Sequence, residues 1–202
     1  MSVGLADKVI TAEEMLDVAL TAYKNQSGYM ETFLLIKTKE GNLIRFKLNR
    51  TQLDLLAEIE ACRSRKKKVR FLILKARQEG VSTFMQALFF SLTATQANRQ
   101  MWVIAHDRES SGNLFGMSEI FLDYLPETIT PMVRYRDKKR IDFQNPDNEK
   151  RRDNPGLRSK IFVSNAKDVR AGRSTTIHYL HISIIYYILG RYKLHSQNTC
   201  VF

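Results

Sequence analysis

The sequence predicts an α/β fold: a parallel sheet flanked by helices, preceded by an N-terminal helix and a β-hairpin. Two observations carry this reading. Short apolar runs suited to buried strands (Phe71-Leu72-Ile73-Leu74, Met101 to Ala105, Lys160 to Val163, Ile177 to Ser183) recur along the chain, and helical patterns over 82–96 and 108–124 follow the first two. Strands alternating with helices build parallel sheets, because each crossover helix returns the chain to the edge where the next strand starts. A chain of 202 residues, 44% hydrophobic and 26% charged, has room for one well-cored domain and the composition of a globular one.

Taken in order, Thr11-Ala12-Glu13-Glu14 is a capping box that predicts a helix over about 12–25. Glu31 to Lys37 and Asn42 to Leu48 read as two strands around a Gly41-Asn42 turn. Thr51 is expected to cap a helix with Leu53, Leu56 and Ile59 on one side. A strand over 70–75, a polar turn and the helix over 82–96 follow. Met101 to Ala105 is the next buried strand, and Asp107 is placed to cap the helix over 108–124. Beyond Pro131, Val133 to Tyr135 and Ile141 to Phe143 are short strand candidates, and Asn145 to Arg158, with Pro146, Asn154, Pro155 and Gly156, reads as a polar loop.

The junction of strand and helix at Phe71 to Thr83 carries the most chemistry. A strand that breaks over a glycine onto a helix start makes an anion site, because the free backbone N–H groups converge on the turn. The phosphate loop of nucleotide-binding proteins reads G-x-x-x-x-G-K-[ST]. In this chain Gly80 and Ser82 fall in register with its second glycine and its hydroxyl, Lys75 stands at the first glycine, and Val81 replaces the lysine. Lys75 or Arg77, entering from the front of the loop, could supply positive charge near the phosphates; the alternative is an ordinary strand-turn-helix whose Lys75 and Arg77 face solvent. Ser82 is the candidate oxygen ligand for Mg²⁺, with Thr83 second, and both residue types also suit a plain helix cap.

Four segments in order resemble the large terminase subunit of tailed bacteriophages, the ATP-driven motor that packages viral DNA. Lys75-Ala76-Arg77-Gln78-x-Gly80-x-Ser82-Thr83 is similar to that family's deviant phosphate loop. Phe46 to Leu56 is similar to its adenine-recognition segment, with Gln52 as the reading glutamine. Trp102 to Asp107, followed by a helix ending at Tyr124-Leu125-Pro126, is also similar to these proteins, and Arg170-Ala171-Gly172-Arg173 leading into His178 to Ser183 resembles the approach to their Walker B strand. The resemblance implies a P-loop ATPase fold over 49–183 behind an N-terminal extension over 1–48, and a phosphate site of Lys75, Arg77, Gln78, Gly80, Val81, Ser82 and Thr83. It further implies ATP and Mg²⁺ as cofactors and double-stranded DNA, portal protein, small terminase subunit and further copies in a ring as partners. The bacterial host cytoplasm would be the compartment. Arg140, Arg170 and Arg173 are possible charge-stabilising arginines, none of them assigned.

The likeness stops after Ser183. Family members carry an acidic residue there, whereas this chain has Ile184, and no Asp or Glu occurs from Ile184 to Phe202. The expectation is a frameshift near codon 184 that truncated a longer gene, leaving 184–202 as an aberrant tail and removing the catalytic glutamate, the coupling motif, the later ATPase strands and the nuclease domain; the alternative is a diverged tail with its own packing role. ATP binding with slow or absent hydrolysis follows from that reading.

Charge points to a polyanionic partner. The formal net charge is +11, concentrated in Arg63 to Arg70, in Arg134 to Arg140 and in Lys150-Arg151-Arg152. Two other functional classes share these features: a non-catalytic basic DNA-binding protein on an ATPase-like fold, and a helicase-like translocase. Cys62 and Cys200 give neither metal-ligand spacing nor a disulfide framework. Met1 to Ile10 has no signal-peptide core, and Ile177 to Leu189, broken by His178 and His181, is too short to span a bilayer.

Overall fold

In the computed structural model, residues 11–22, 25–66, 68–74, 79–166, 176–183 and 200–201 are described. Helix α1 (Ala12–Ala22) starts on the expected capping box: Thr11 Oγ1 accepts from Glu14 N at 3.2 Å and Glu14 Oε2 accepts from Thr11 N at 2.9 Å. Helix α2 (Gln26–Phe33) follows, capped by the Asn25 side chain, and takes residues 31–33 that the alternation assigned to a strand. Gln26, Tyr29, Met30 and Phe33 are all buried, and their spacing is the stripe of a helix rather than the period of a strand. Strands β1 (Leu35–Lys37) and β2 (Leu43–Arg45) then pair antiparallel, as the predicted hairpin, with Gly41 at φ +89° in the connection.

Helix α3 (Arg50–Ser64) is capped by Asn49 rather than Thr51. The Asn49 side chain accepts from Gln52 N and the Gln52 side chain accepts from Asn49 N, a complete capping box. Strand β3 (Phe71–Leu72) is shorter than the expected 70–75 and stands outside the main sheet, pairing in parallel with β9 (Cys200–Val201). Helix α4 (Val81–Thr95), strand β4 (Gln100–Ala105) and helix α5 (Arg108–Asp123) fall close to their predicted spans.

The expected all-parallel sheet is a mixed one. Strands β5 (Tyr135–Arg136), β6 (Arg140–Phe143), β7 (Ser159–Asn165) and β8 (Tyr179–Ser183) join β4 in the order β5-β6-β7-β4-β8. Strand β4 lies parallel to β7 and β8, while β5, β6 and β7 pair antiparallel. Chain length explains the departure. Only 137–139 separate β5 from β6, too few for the crossover that a parallel pair needs.

One face of the sheet is covered by helices. Met101, Val103, Ile141, Phe143 and Ile161 are fully buried there, and Phe143 meets the ring of Phe90 from α4. Helix α4 is the hub of the core, touching α2, α3 and α5 as well as β4, β7 and β8. Its buried residues run almost all round, from Val81 and Phe84 to Leu92 and Ala94, as a helix enclosed on several sides requires. The opposite face holds Trp102 stacked on Phe162, with Leu180 and Ile182 exposed toward the β8 edge.

Candidate nucleotide site at the start of helix α4

The two ends of α4 are fixed by their contacts. At its C-terminal end, Gln96 meets the starts of β7 and β8: Ser159 Oγ donates to its carbonyl at 2.5 Å and Tyr179 Oη donates to Oε1 at 3.1 Å. Further up the helix, Gln86 bonds His181 Nδ1 at 2.9 Å and accepts from Ser118 Oγ at 3.4 Å. Lower-numbered residues of α4 thus face higher-numbered residues of β8. The helix start therefore lies toward the carboxyl edge of the parallel strands, where Ala105 and Ser183 are paired. Open α/β sheets bind their ligands beyond that edge.

Gly80 precedes the helix with φ +69° and ψ 7°, a left-handed conformation in which a side chain is strained. Its carbonyl accepts from Phe84 N at 2.9 Å, which opens the helix one residue earlier than expected, at Val81. Neither Ser82 nor Thr83 is the cap, and among the described residues no side chain bonds the first-turn amides. Every other α-helix among the described residues has such a bond: Thr11 and Glu14 at α1, Asn25 at α2, Asn49 at α3 and Asp107 at α5. Among the described residues no side chain caps the first-turn N–H groups of α4, and the positive end of its dipole lies at the carboxyl edge of the parallel strands.

Two side chains from the start of α3 hold the turn. Gln52 Nε2 donates to the Gly80 carbonyl at 2.9 Å, and Asn49 Nδ2 donates to the Glu79 carbonyl at 3.3 Å. A Cβ at Gly80 would stand 2.7 Å from Gln52 Nε2, so glycine is required for the contact as well as for the backbone. Gln52, expected as an adenine reader, is 3% exposed. The role of Asn49 was not anticipated from the sequence, although Asn49-x-x-Gln52 is a readable cap signature.

Of the other predicted site residues, Val81 is buried, while Ser82 and Thr83 are half-buried on the first turn. Lys75, Arg77 and Gln78 lie outside the described residues, as do Arg170, Arg173 and Ile184. Arg140 is committed elsewhere. It pairs with Asp142, whose side chain is almost fully buried, and its guanidinium lies over the rings of Tyr135 and Phe162 at 5.6 and 5.4 Å. Strand β6 is three strand spacings from β8, about 14 Å, which sets Arg140 well apart from the β8 edge.

At the end of β4, Asp107 Oδ1 accepts from Ser110 N at 2.7 Å and caps α5 as predicted. That bond from the Ser110 N–H is the main reason its carboxyl is held below the usual range, with the Ser110 hydroxyl and the neighbouring His106 adding to it. An anion is already built into this helix start.

The basic runs also separate. Arg136 is tied to Asp123 and Glu119, Lys150 to Asp147, and Arg151 donates to the carbonyls of Asn145 and Pro146. Arg63, Arg65, Lys66, Lys68 and Arg70 are exposed, and no ion pair joins them among the described residues. This cationic connection leads from α3 into β3. Among the described residues no helix is long and apolar enough to cross a membrane, and no group of His, Cys, Asp and Glu is arranged to hold a metal. For Mg²⁺ carried on bound phosphates, Ser82 would offer a hydroxyl ligand from the first turn of α4. No protein-family model matches the chain, and no curated protein is a significant match.

Proposed function

We propose that the chain binds a nucleoside triphosphate with Mg²⁺ at the start of α4 and is the nucleotide-binding part of a terminase-type DNA-packaging motor. The observation that carries this is the helix start itself: α4 opens on left-handed Gly80 with no side-chain cap, while the other described α-helices cap themselves. The ordered resemblance of Gln52, the Gly80 turn, the β4 end and β8 to terminases supports the finer reading. On this proposal the amides of Val81 to Thr83 cradle phosphate oxygens, Ser82 Oγ ligates the metal, and Lys75 and Arg77 neutralise charge. Bound Mg²⁺ would offset charge on the phosphates. With Ile184 where the family has a carboxylate, nothing in the likeness orients an attacking water, so binding outlasts turnover.

Calorimetric titration with Mg·ATP tests the proposal. Binding that weakens by roughly tenfold or more in Lys75→Ala and Arg77→Ala is expected, since each removes a charge-assisted contact. A flat titration at millimolar ATP contradicts it. DNA, portal, small subunit and ring partners belong to the same proposal, as does the host cytoplasm.

A second reading, a basic DNA-binding protein without nucleotide chemistry, is favoured by the exposed cations Arg63, Arg65, Lys66, Lys68 and Arg70, which no ion pair joins among the described residues. Duplex binding that falls steeply with salt, by a slope of roughly −0.9 per phosphate contact, would support the DNA contact in either reading. Only nucleotide binding separates the two.

A further inference from the structure

We infer that Gln52 is a positioning residue for the phosphate turn, and that it holds Gly80 in place instead of reading the nucleotide base; the inference rests on the triphosphate reading above. The geometry is specific. The Gln52 amide bridges two backbone groups: Oε1 accepts from Asn49 N at 3.0 Å and Nε2 donates to the Gly80 carbonyl at 2.9 Å. Both partners are main-chain, one able only to donate and the other only to accept, so the amide has a single satisfying orientation. At 3% exposure it offers no free edge to a base.

The contact also acts on the right atom. The Gly80 carbonyl receives the first intrahelical bond of α4, from Phe84 N, together with the bond from Gln52. Fixing that oxygen fixes the peptide plane between Gly80 and Val81, and with it the direction of the Val81 N–H that opens the helix. Asn49 adds a parallel tie one residue earlier, through the Glu79 carbonyl. The α3 start is thereby a rigid bracket, its own capping box locking the two side chains that reach across to the turn. A missing Cβ at Gly80 is what lets the Gln52 amide approach.

A base reader and a turn holder differ in what they discriminate. Binding of Mg·ATP, Mg·GTP and inorganic tripolyphosphate is measured by calorimetry well below the melting temperature, on the full chain, Gln52→Met and Asn49→Ser. Hydrogen exchange of the 79–84 amides is followed in parallel without ligand. Gln52→Met keeps length and charge and removes both hydrogen bonds. Asn49→Ser keeps an N-cap hydroxyl but loses the tie to Glu79, so it survives if the first variant folds poorly. The expected result is a loss of roughly tenfold or more in Gln52→Met that is equal for all three ligands, a smaller equal loss in Asn49→Ser, and faster exchange at 79–84 in both. Loss confined to ATP, or unchanged exchange and unchanged tripolyphosphate affinity, overturns the inference while leaving the triphosphate site standing. An unmodified chain that binds none of the three ligands overturns the triphosphate reading and the inference with it.

Discussion

Helices α4 and α5 start at the same kind of place and are finished in opposite ways. Helix α5 leaves the end of β4 with Asp107 folded onto its first turn, the carboxylate accepting from Ser110 N, so its positive end is already satisfied. Helix α4 leaves a glycine whose backbone is left-handed, with no side-chain cap on the first turn among the described residues. The turn before α4 is instead gripped from behind, by Asn49 and Gln52 of α3. The difference teaches where an anion has room: a helix start with its own carboxylate is already satisfied, and one that is braced but left uncapped is where the proposed triphosphate would sit.

The largest effect is expected where that contrast is sharpest. Gly80→Val places a branched side chain at φ +69° and against Gln52 Nε2, and should destabilise the fold by about 1–3 kcal/mol, seen as a lower denaturant midpoint. The same variant should lose triphosphate binding altogether. Asp107→Ala removes the α5 cap and should lower the denaturant midpoint, yet leave nucleotide affinity unchanged, with Asp107→Asn recovering most of the stability. If Asp107→Ala abolished binding, the assignment of separate roles to the two helix starts would be wrong.

Ser82→Ala makes a finer cut. Because Ser82 is not the cap of α4, stability should change by less than about 0.5 kcal/mol. Affinity for Mg·ATP should fall about tenfold while metal-free tripolyphosphate is held as before, a loss of about 1.4 kcal/mol read by calorimetry. The smallest effect is one of pH. The Asp107 carboxyl has a lowered pKa in the fold, so it binds fewer protons there than in the unfolded chain. Its contribution is complete above the unfolded value of about 4 and is lost as pH falls below that. Acidification should therefore loosen the amides of Arg108 to Ser111 at the α5 start before those at the α4 start, where among the described residues no carboxylate caps the first turn. Exchange rates at pH 5 and below pH 3 compare the two.

Much of this architecture could be read from the chain, for reasons that differ by element. The spans of α4, β4 and α5 were legible because each joins a strong period to a clear boundary: Gly80 before α4, Asp107 before α5. Helix α2 was hidden by Phe33, Leu35 and the following alternation, which extend a strand pattern backward into residues whose burial follows a helical stripe. The Asn49 cap was masked by Thr51, an equally good capping residue two positions later. The mixed sheet was in principle readable, since three residues between β5 and β6 permit only a hairpin.

The candidate site divides in the same way. Gly80 and Ser82 announce themselves by spacing, but the contact between Gln52 and Gly80 joins residues 28 apart and leaves no local pattern. Strand β3 was expected beside the other parallel strands, and its pairing with β9 involves a tail whose sequence gave no strand signal. Non-local pairings of this kind depend on the assembled core rather than on any segment's own preference.

The most direct measurement is an amide-resolved NMR titration of the chain with Mg·ATP. The account predicts that the largest shifts fall on the backbone N–H groups of Gly80 to Phe84, with those of Arg108 to Ser110 at the capped α5 start unmoved. Resonances at 80–84 that stay in place at millimolar nucleotide, or shifts centred on α5, would contradict it.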